Sequence, residues 1–310
     1  MIDRIHGALN STFDKLDDVD NRWGDKLING KVREIVDLGD SLVLTTSDRI
    51  SAFDRILSTI PFKGEVLNRL SLYWFKNTQD IINNHIISQV SPRSIHVKKC
   101  QVLPVEVIVR GYLTGSSWRD YQNGRDISGI TLPKGMKMDQ KFESPLITPS
   151  TKAEQGDHDE PISCEDIVSK GLVDSKLWAE VEDKALKLFA RGSKLASERG
   201  LILVDTKYEF GILDGELIIV DEIHTPDSSR FWYKDSYQEA FEKGENQRKV
   251  DKEFLRQWLM DQGFMGDGVP PKITSQMRIN IALKYIEAFE LITGEKFTPS
   301  DLTPEAERKK

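Results

Sequence analysis

The 310-residue chain has only two cysteines, Cys100 and Cys164. A disulfide framework is disfavoured, and two isolated thiols fit a reducing compartment at least as well. Neither thiol stands at a metal-ligand spacing. Long apolar runs are missing too: none approaches the ~20 residues needed to span a bilayer. The opening MIDRIHGALN mixes charge into its first residues and lacks the apolar stretch and cleavage site of a signal peptide, so the cytoplasm is the default location. Positive charge is in short supply, with 43 Lys and Arg against 50 Asp and Glu and a net charge of −7. No global basic field exists to hold nucleic acid or an anionic membrane, so any bound phosphate must be met by a local cluster of cations. Two familiar phosphate signatures are absent. There is no G-x-x-x-x-G-K-[ST] loop and no G-x-G-x-x-G before a helix, which disfavours a Walker site and a Rossmann dinucleotide site.

What is present is a chain rich in both core and surface residues, 38% hydrophobic and 30% charged. At ~100–200 residues per domain it is long enough for about two. Residues 31–36 and 41–46 are β-rich runs around Asp37-Leu38-Gly39-Asp40, where glycine supplies a positive φ, and they read as a hairpin. Residues 65–87 look helical, with Leu67, Leu70, Trp74 and Phe75 on one side. A strand is expected at 96–98 and a nearly continuous apolar one at 102–109, ended by Gly111 and Gly115. Residues 120–162 show weak periodicity and read as a long loop, of the kind that is functional or disordered. An amphipathic helix runs from Leu177 to Arg199, with Gly200 at the left-handed position past its end. Strands Leu201–Phe210 and Leu217–Asp221 follow around Asp214-Gly215, then helices over 251–262 and 276–292, the second stopped by Gly294. The tail from Glu305 to Lys310 is a solvated charge run.

The chemistry concentrates in Leu201–Phe210. Side chains alternate along a strand, so Asp205, Lys207 and Glu209 share one face. The neighbouring strand ends in Asp221-Glu222, and register decides which acid meets the row. A two-residue Asp-Gly turn puts Val220 opposite Glu209, whereas a three-residue loop pairing Leu213 with Leu217 puts Asp221 there. Facing carboxylates repel unless a cation bridges them, and hard oxygen ligands suit magnesium, which favours the longer loop. The alternative is an exposed lysine–carboxylate ladder with no ligand.

Four other segments carry candidates. In Thr225-Pro226-Asp227-Ser228-Ser229-Arg230, the arginine beside two hydroxyls can grip a phosphate, or Asp227 or Ser228 simply caps a helix. In the 109–118 stretch, Arg110, Ser116 and Ser117 flank two glycines that let backbone approach a ligand, or form an ordinary strand-to-helix turn. Gly30, Lys31 and Arg33 can fold over a polyphosphate, though alone this signal is weak. Ser47–Asp54 is a polar turn, either functional or a capping box, and His158 lies in an acidic loop read as solvated sooner than metal-binding.

Taken in order, GKVREIV, SDRISAFD, LPVEVIVRGYLTGSSWRDY, TPSTKAEQGDHDE, LILVDTKYEFG and DEIHTPDSSRFW resemble the SAICAR synthetase family, from about Lys31 to Gly294. The resemblance implies an α+β fold with three parts: a β-rich N-terminal lobe (1–109), an ATP-grasp-like central part (110–245) and C-terminal helices (246–310). It implies ATP lying between lobes and magnesium as cofactor, with Gly30, Lys31 and Arg33 over the phosphates. Val97, Lys98 and Val102 would line the adenine site near Glu106, and Lys152 would approach the nucleotide phosphates. Glu209 and Asp221 would hold magnesium; Arg110, Ser116 and Arg230 would hold a ribotide phosphate. Asp205 and Lys207 would lie near the reacting groups, while Asp48, Ser51 and Asp159 belong to substrate-binding motifs. The implied substrates are carboxyaminoimidazole ribotide (CAIR) and L-aspartate, joined as an amide at the expense of ATP, with no obligate protein partner. One departure is Glu34-Ile35-Val36, where the family often has Asp-Ile-Tyr. A small-molecule kinase or a non-catalytic nucleotide-binding protein could use the same cations; only the first would share the need for metal-binding acids.

Overall fold

The computed structural model describes residues 1–16, 26–53, 55–152, 159–250 and 253–301, the side chains of 253–254 excepted. Asp54, the loop carrying His158 and the tail from Glu305 lie outside the described residues. The elements in chain order begin with α1 (Ile2–Ala8), β1 (Leu27–Asn29), β2 (Arg33–Asp37), β3 (Ser41–Thr46), β4 (Arg49–Ala52), β5 (Arg55–Thr59) and α2 (Lys63–Lys76). Then come β6 (Ile86–Ser91), β7 (Ser94–Lys98), β8 (Gln101–Tyr112), α3 (Gly115–Gln122), β9 (Lys141–Ile147), β10 (Ser150–Thr151), α4 (Cys164–Ser169) and α5 (Ser175–Glu198). The last are β11 (Leu201–Leu213), β12 (Glu216–Val220), β13 (Ser229–Tyr233), α6 (Lys234–Lys243), α7 (Glu253–Asp261) and α8 (Ser275–Thr293). They form two compact units: Met1–Tyr73 with His85–Lys99 and Val250–Lys310, and Trp74–Asn84 with Cys100–Lys249. Among the described residues no helix is long and apolar enough to cross a membrane.

The first unit is built on an antiparallel sheet of order β1-β2-β3-β7-β6. Its β2–β3 hairpin is the expected one, with Asp37 opposite Leu42 and Gly39 at φ 98°. Leu44, Ile95 and Val97 form a core cluster against this sheet, packed by Ile35, Leu42 and Leu72. The polar segment after β3 is shorter than expected, because Arg49–Ala52 forms a strand paired with β5.

In the second unit, β8 and β11 are long antiparallel neighbours, and each has its other edge covered by two short strands end to end. Along β11 these are β13, facing residues 201–206, and β12, facing 209–213. Along β8 they are β9 and β10. Helix α5 packs on the two central strands, burying Trp178, Val181, Ala185, Leu188 and Phe189. Its amphipathic spacing forecast this, and Gly200 at φ 74° follows its end.

Three expectations need correction. The helix expected over 65–87 stops at Lys76, where the Thr78 hydroxyl donates to the Trp74 carbonyl at 2.8 Å and takes over one of the end groups. Ile86-Ile87, β-branched, then opens a strand. The supposed loop 120–162 contains β9 and β10, both paired with β8; Pro145 sits in β9, an edge position that needs no second ladder. Gly111, expected to end the 102–109 strand, lies inside β8, where a Cβ would come within 3.4 Å of the Phe189 ring of α5.

Candidate active site

The hairpin β11–β12 closes through the shorter turn, against the expectation. Leu213 faces Glu216 and Glu209 faces Val220, so Asp221 is not opposite Glu209. The reason is local: Asp214 and Gly215 both take positive φ, 52° and 83°, the pairing that matches the right-handed twist of a two-residue hairpin. Asp221 instead follows the last residue of β12, itself at φ 66°. The acid that faces Glu209 comes from the other side of β11: Glu106 of β8.

Because β8 and β11 run antiparallel, Arg110, Ile108 and Glu106 stand opposite Asp205, Lys207 and Glu209. The same-face row inferred for β11 is thus met by a matching row on β8. At one end Lys207 Nζ donates to Glu106 Oε1 at 2.5 Å and to Glu209 Oε1 at 2.9 Å. Lys152 donates to the other Glu209 oxygen. It is brought there by β10, whose Ser150 faces Glu106, and by its own N–H to the Pro104 carbonyl at 3.0 Å. Burial pushes the Glu209 carboxyl up, but the charges of Lys207 and Lys152 outweigh it and hold its pKa at about 2. Burial likewise opposes the Lys207 ammonium, and Glu209 and Glu106 together raise its pKa above the usual lysine value. Glu106 is pushed up by burial, only partly offset by Lys207, and it also feels the charge of Asp159. Two cations and several acids therefore share one face at this end.

At the other end Asp205 is flanked by two guanidiniums. Arg110 Nη1 lies 3.5 Å and Arg230 Nη1 3.4 Å from Asp205 Oδ2. Arg110 Nε donates to Thr148 Oγ1 at 2.8 Å and Nη2 reaches Ser116 Oγ at 3.5 Å. Burial and the nearby Arg230 lower the Arg110 pKa, with Asp205 opposing. Arg230 rises from β13 and lies over the start of α3: a Cβ on Gly115 (φ 62°) would fall 1.9 Å from its Nη1. Arg110, Ser116 and Arg230 are therefore gathered at a helix N-terminus, with Asp205 between the guanidiniums, a setting suited to an anion. Ser117 does not join them, since its buried hydroxyl donates to the Thr114 carbonyl at 2.7 Å. Nor does Asp227 or Ser228 cap a helix; Ser228 hydrogen-bonds within the 225–228 turn and Ser229 starts β13.

The remaining candidates lie elsewhere. Val102 faces Gly211 across β8 and β11 and is exposed. Gly30, Lys31, Arg33, Val97, Lys98, Asp48 and Ser51 belong to the first unit. Val97 is in the core cluster there. Asp48 is buried, and its carboxylate accepts from the Phe13 N–H at 2.7 Å, the Gly64 N–H at 2.8 Å and Arg93 Nη1 at 3.0 Å. Ser51 lies on β4 opposite Ile56.

Sequence reasoning passed over Thr148 and Arg93, although Thr148 opens the TPSTKAEQGDHDE string. It also passed over His224, whose Nε2 meets the Tyr208 hydroxyl at 2.6 Å under the charged face. For Thr148 the missed signal was strand β9, which places it beside Arg110.

The donor set can be tested against a hard divalent cation. Among the described residues no group of three or more His, Cys, Asp or Glu lies close enough to hold a metal ion. Magnesium typically needs only one or two carboxylates, with water and phosphate oxygens completing its shell. Glu209, ionised with a lysine on each oxygen, and Asp221, just past the end of β12, are carboxylates of that donor type.

The sequence profile of the SAICAR synthetase family matches residues 26–272. The phosphoribosylaminoimidazole-succinocarboxamide synthase of Legionella pneumophila (strain Paris) is 49% identical over 279 residues, spanning 88% of this chain and 89% of that one. Its counterpart from Bacteroides fragilis is 50% identical over 285 residues, 90% and 91% of the two chains. A solved structure of SAICAR-synthase from Saccharomyces cerevisiae, complexed with SAICAR, superposes with a TM-score of 0.80 at 36% identity, covering 93% of this chain and 100% of that one. An α+β enzyme fold with two facing rows of charge is the class these observations define. The chain belongs to the SAICAR synthetase family.

Proposed function

We infer that this chain is an ATP-dependent carbon–nitrogen ligase of purine biosynthesis, forming SAICAR from CAIR and L-aspartate. The observation that carries the reading is the shared sheet face on which Arg110, Asp205 and Arg230 stand in line with Lys207, Glu209, Glu106 and Lys152. One end suits a phosphate; the other combines cations with ionised acids, the set that phosphoryl transfer needs for positioning and charge neutralisation.

In this reading Arg110, Arg230 and Ser116 bind the ribotide phosphate and so orient the imidazole carboxylate along the row. A carboxylate is a poor acyl donor because oxide is a poor leaving group. Its oxygen attacks the terminal phosphorus of ATP, ADP departs, and an acyl phosphate results. The aspartate amine then attacks the acyl carbon and phosphate leaves. Lys207, held between Glu106 and Glu209, steadies charge on the acyl phosphate, with Asp205 beside the reacting groups. In the second unit Lys152 serves the nucleotide phosphates and Val102 and Glu106 serve adenine; in the first, Gly30, Lys31 and Arg33 serve the phosphates and Val97 and Lys98 serve adenine. Glu209 and Asp221 hold magnesium, which supplies Lewis-acid charge to the phosphates when bound. Asp159 is the substrate-side acid of the second unit and Ser51 a substrate-side hydroxyl of the first, and Asp48, committed to Phe13, Gly64 and Arg93, shapes its own segment.

Product analysis by mass spectrometry tests the assignment. Protein, ATP, magnesium, CAIR and L-aspartate should yield SAICAR and ADP in equal amounts, with no ADP when aspartate is omitted beyond a slow background. ADP release independent of aspartate would indicate a kinase instead.

A further inference from the structure

The residue opening β4, Arg49, is not claimed by any step above, yet it is almost fully buried and its guanidinium is spent mostly on the Gly30–Glu34 segment. Nε donates to the Lys31 carbonyl at 3.0 Å. Nη2 donates to the Gly30 carbonyl at 2.9 Å and to Glu34 Oε1 at 2.6 Å, and Nη1 donates to the Asp14 carbonyl. Two residues earlier, the Ser47 N–H and hydroxyl both donate to the Val32 carbonyl, at 2.9 and 2.8 Å. The Arg33 carbonyl accepts from the Gly30 N–H at 2.8 Å. Thus every carbonyl from Gly30 to Arg33 is taken by a donor of the protein. Carbonyl oxygens repel a polyphosphate, so a turn that is to sit against one must engage them elsewhere.

We propose that Arg49, braced by Glu34 and seconded by Ser47, is the positioning device that locks the Gly30–Arg33 turn into an anion-accepting form. The assignment rests on the reading that this turn covers the ATP phosphates. The Glu34 side chain is fully buried and ends on Nη2 of Arg49; an aspartate would be one methylene shorter. A lysine at position 49 keeps the charge but cannot span the Gly30, Lys31 and Glu34 acceptors with a planar fork.

The experiment is steady-state kinetics of R49K with each of the three substrates varied in turn, beside K31A as a direct probe of the turn. The expected result is an ATP KM raised on the order of tenfold in R49K, as for lost charge-assisted hydrogen bonds, with kcat and the KM for CAIR and aspartate within about twofold. K31A should raise the ATP KM as well. If K31A raises it and R49K does not, the positioning role is wrong and the turn's role stands. If neither variant moves it, the turn does not serve ATP and both assignments fall. Equal changes in all three KM values would reduce Arg49 to a general structural part, which also overturns the proposal. Should R49K fail to fold, E34Q replaces it under the same criteria, with a several-fold rise in ATP KM expected.

Discussion

At the scale of the residue, the site depends on charges that compensate one another at short range. Glu209 takes Lys207 on one oxygen and Lys152 on the other, and this keeps its carboxyl ionised down to about pH 2. Glu209→Gln keeps the shape and removes the charge. It should lower kcat by at least about 100-fold, the scale typical of lost transition-state electrostatics, while circular dichroism and the urea midpoint report a folded protein. Normal magnesium-dependent turnover would remove Glu209 from the reaction. Arg230 acts at the other end of the row, over Gly115 and beside Asp205. Arg230→Ala should raise the CAIR KM by about tenfold or more, roughly the ~1.5–3 kcal/mol of a hydrogen bond to a charged group, and leave the ATP KM nearly unchanged. An unaltered CAIR KM would place the ribotide phosphate elsewhere.

At the scale of the element, the β11–β12 hairpin sets where each acid stands. Its turn needs φ 83° at position 215, which costs a β-branched residue ~1–2 kcal/mol. Gly215→Val should therefore lower unfolding stability by about that amount in urea titration, and activity should fall with it if register slips. The same hairpin shows what could be read from the chain and what could not. The alternation of Asp205, Lys207 and Glu209 was legible because a strand's period of two is fixed by backbone geometry. Register was not, since an argument from paired carboxylates was set against a two-residue Asp-Gly turn, and local backbone preference won. The facing acid turned out to be Glu106, because the β8–β11 pairing joins residues about a hundred positions apart and leaves no trace in either segment alone. Strands β9 and β10 escaped for a related reason: two to seven residues long, with a proline, they exist through pairing with β8 and have no apolar rhythm of their own. Helix α5, by contrast, was plain, because a long stripe at helical spacing followed by glycine needs no partner to be seen.

At the scale of the whole molecule, each unit buries one histidine among the described residues. Burial lowers the pKa of His224 to about 3, and of His85 to about 3 with Arg33 adding to the effect. Both folded values lie below the ordinary 6.5, so both imidazoles are neutral in the native state. The unfolded chain binds their protons first as pH falls, so this share of stability is complete above pH ~6.5 and is lost progressively toward pH 3 at about 1.4 kcal/mol per unit per histidine. The stability gap between the parent protein and H224Q should accordingly narrow as pH is lowered from 7 to 5 in urea titrations. A gap that stays constant would mean that His224 titrates in the fold as it does in the unfolded chain. This loss stands apart from the charged row, where Glu209 holds its charge to much lower pH.

The central claim is that the charged face of β8 and β11 activates the ribotide carboxylate by phosphorylating it before the amine arrives. CAIR carrying heavy oxygen in that carboxylate, turned over with ATP and L-aspartate, tests this directly. One heavy atom per turnover should appear in the released inorganic phosphate. Phosphate free of label, alongside normal SAICAR formation, would contradict it.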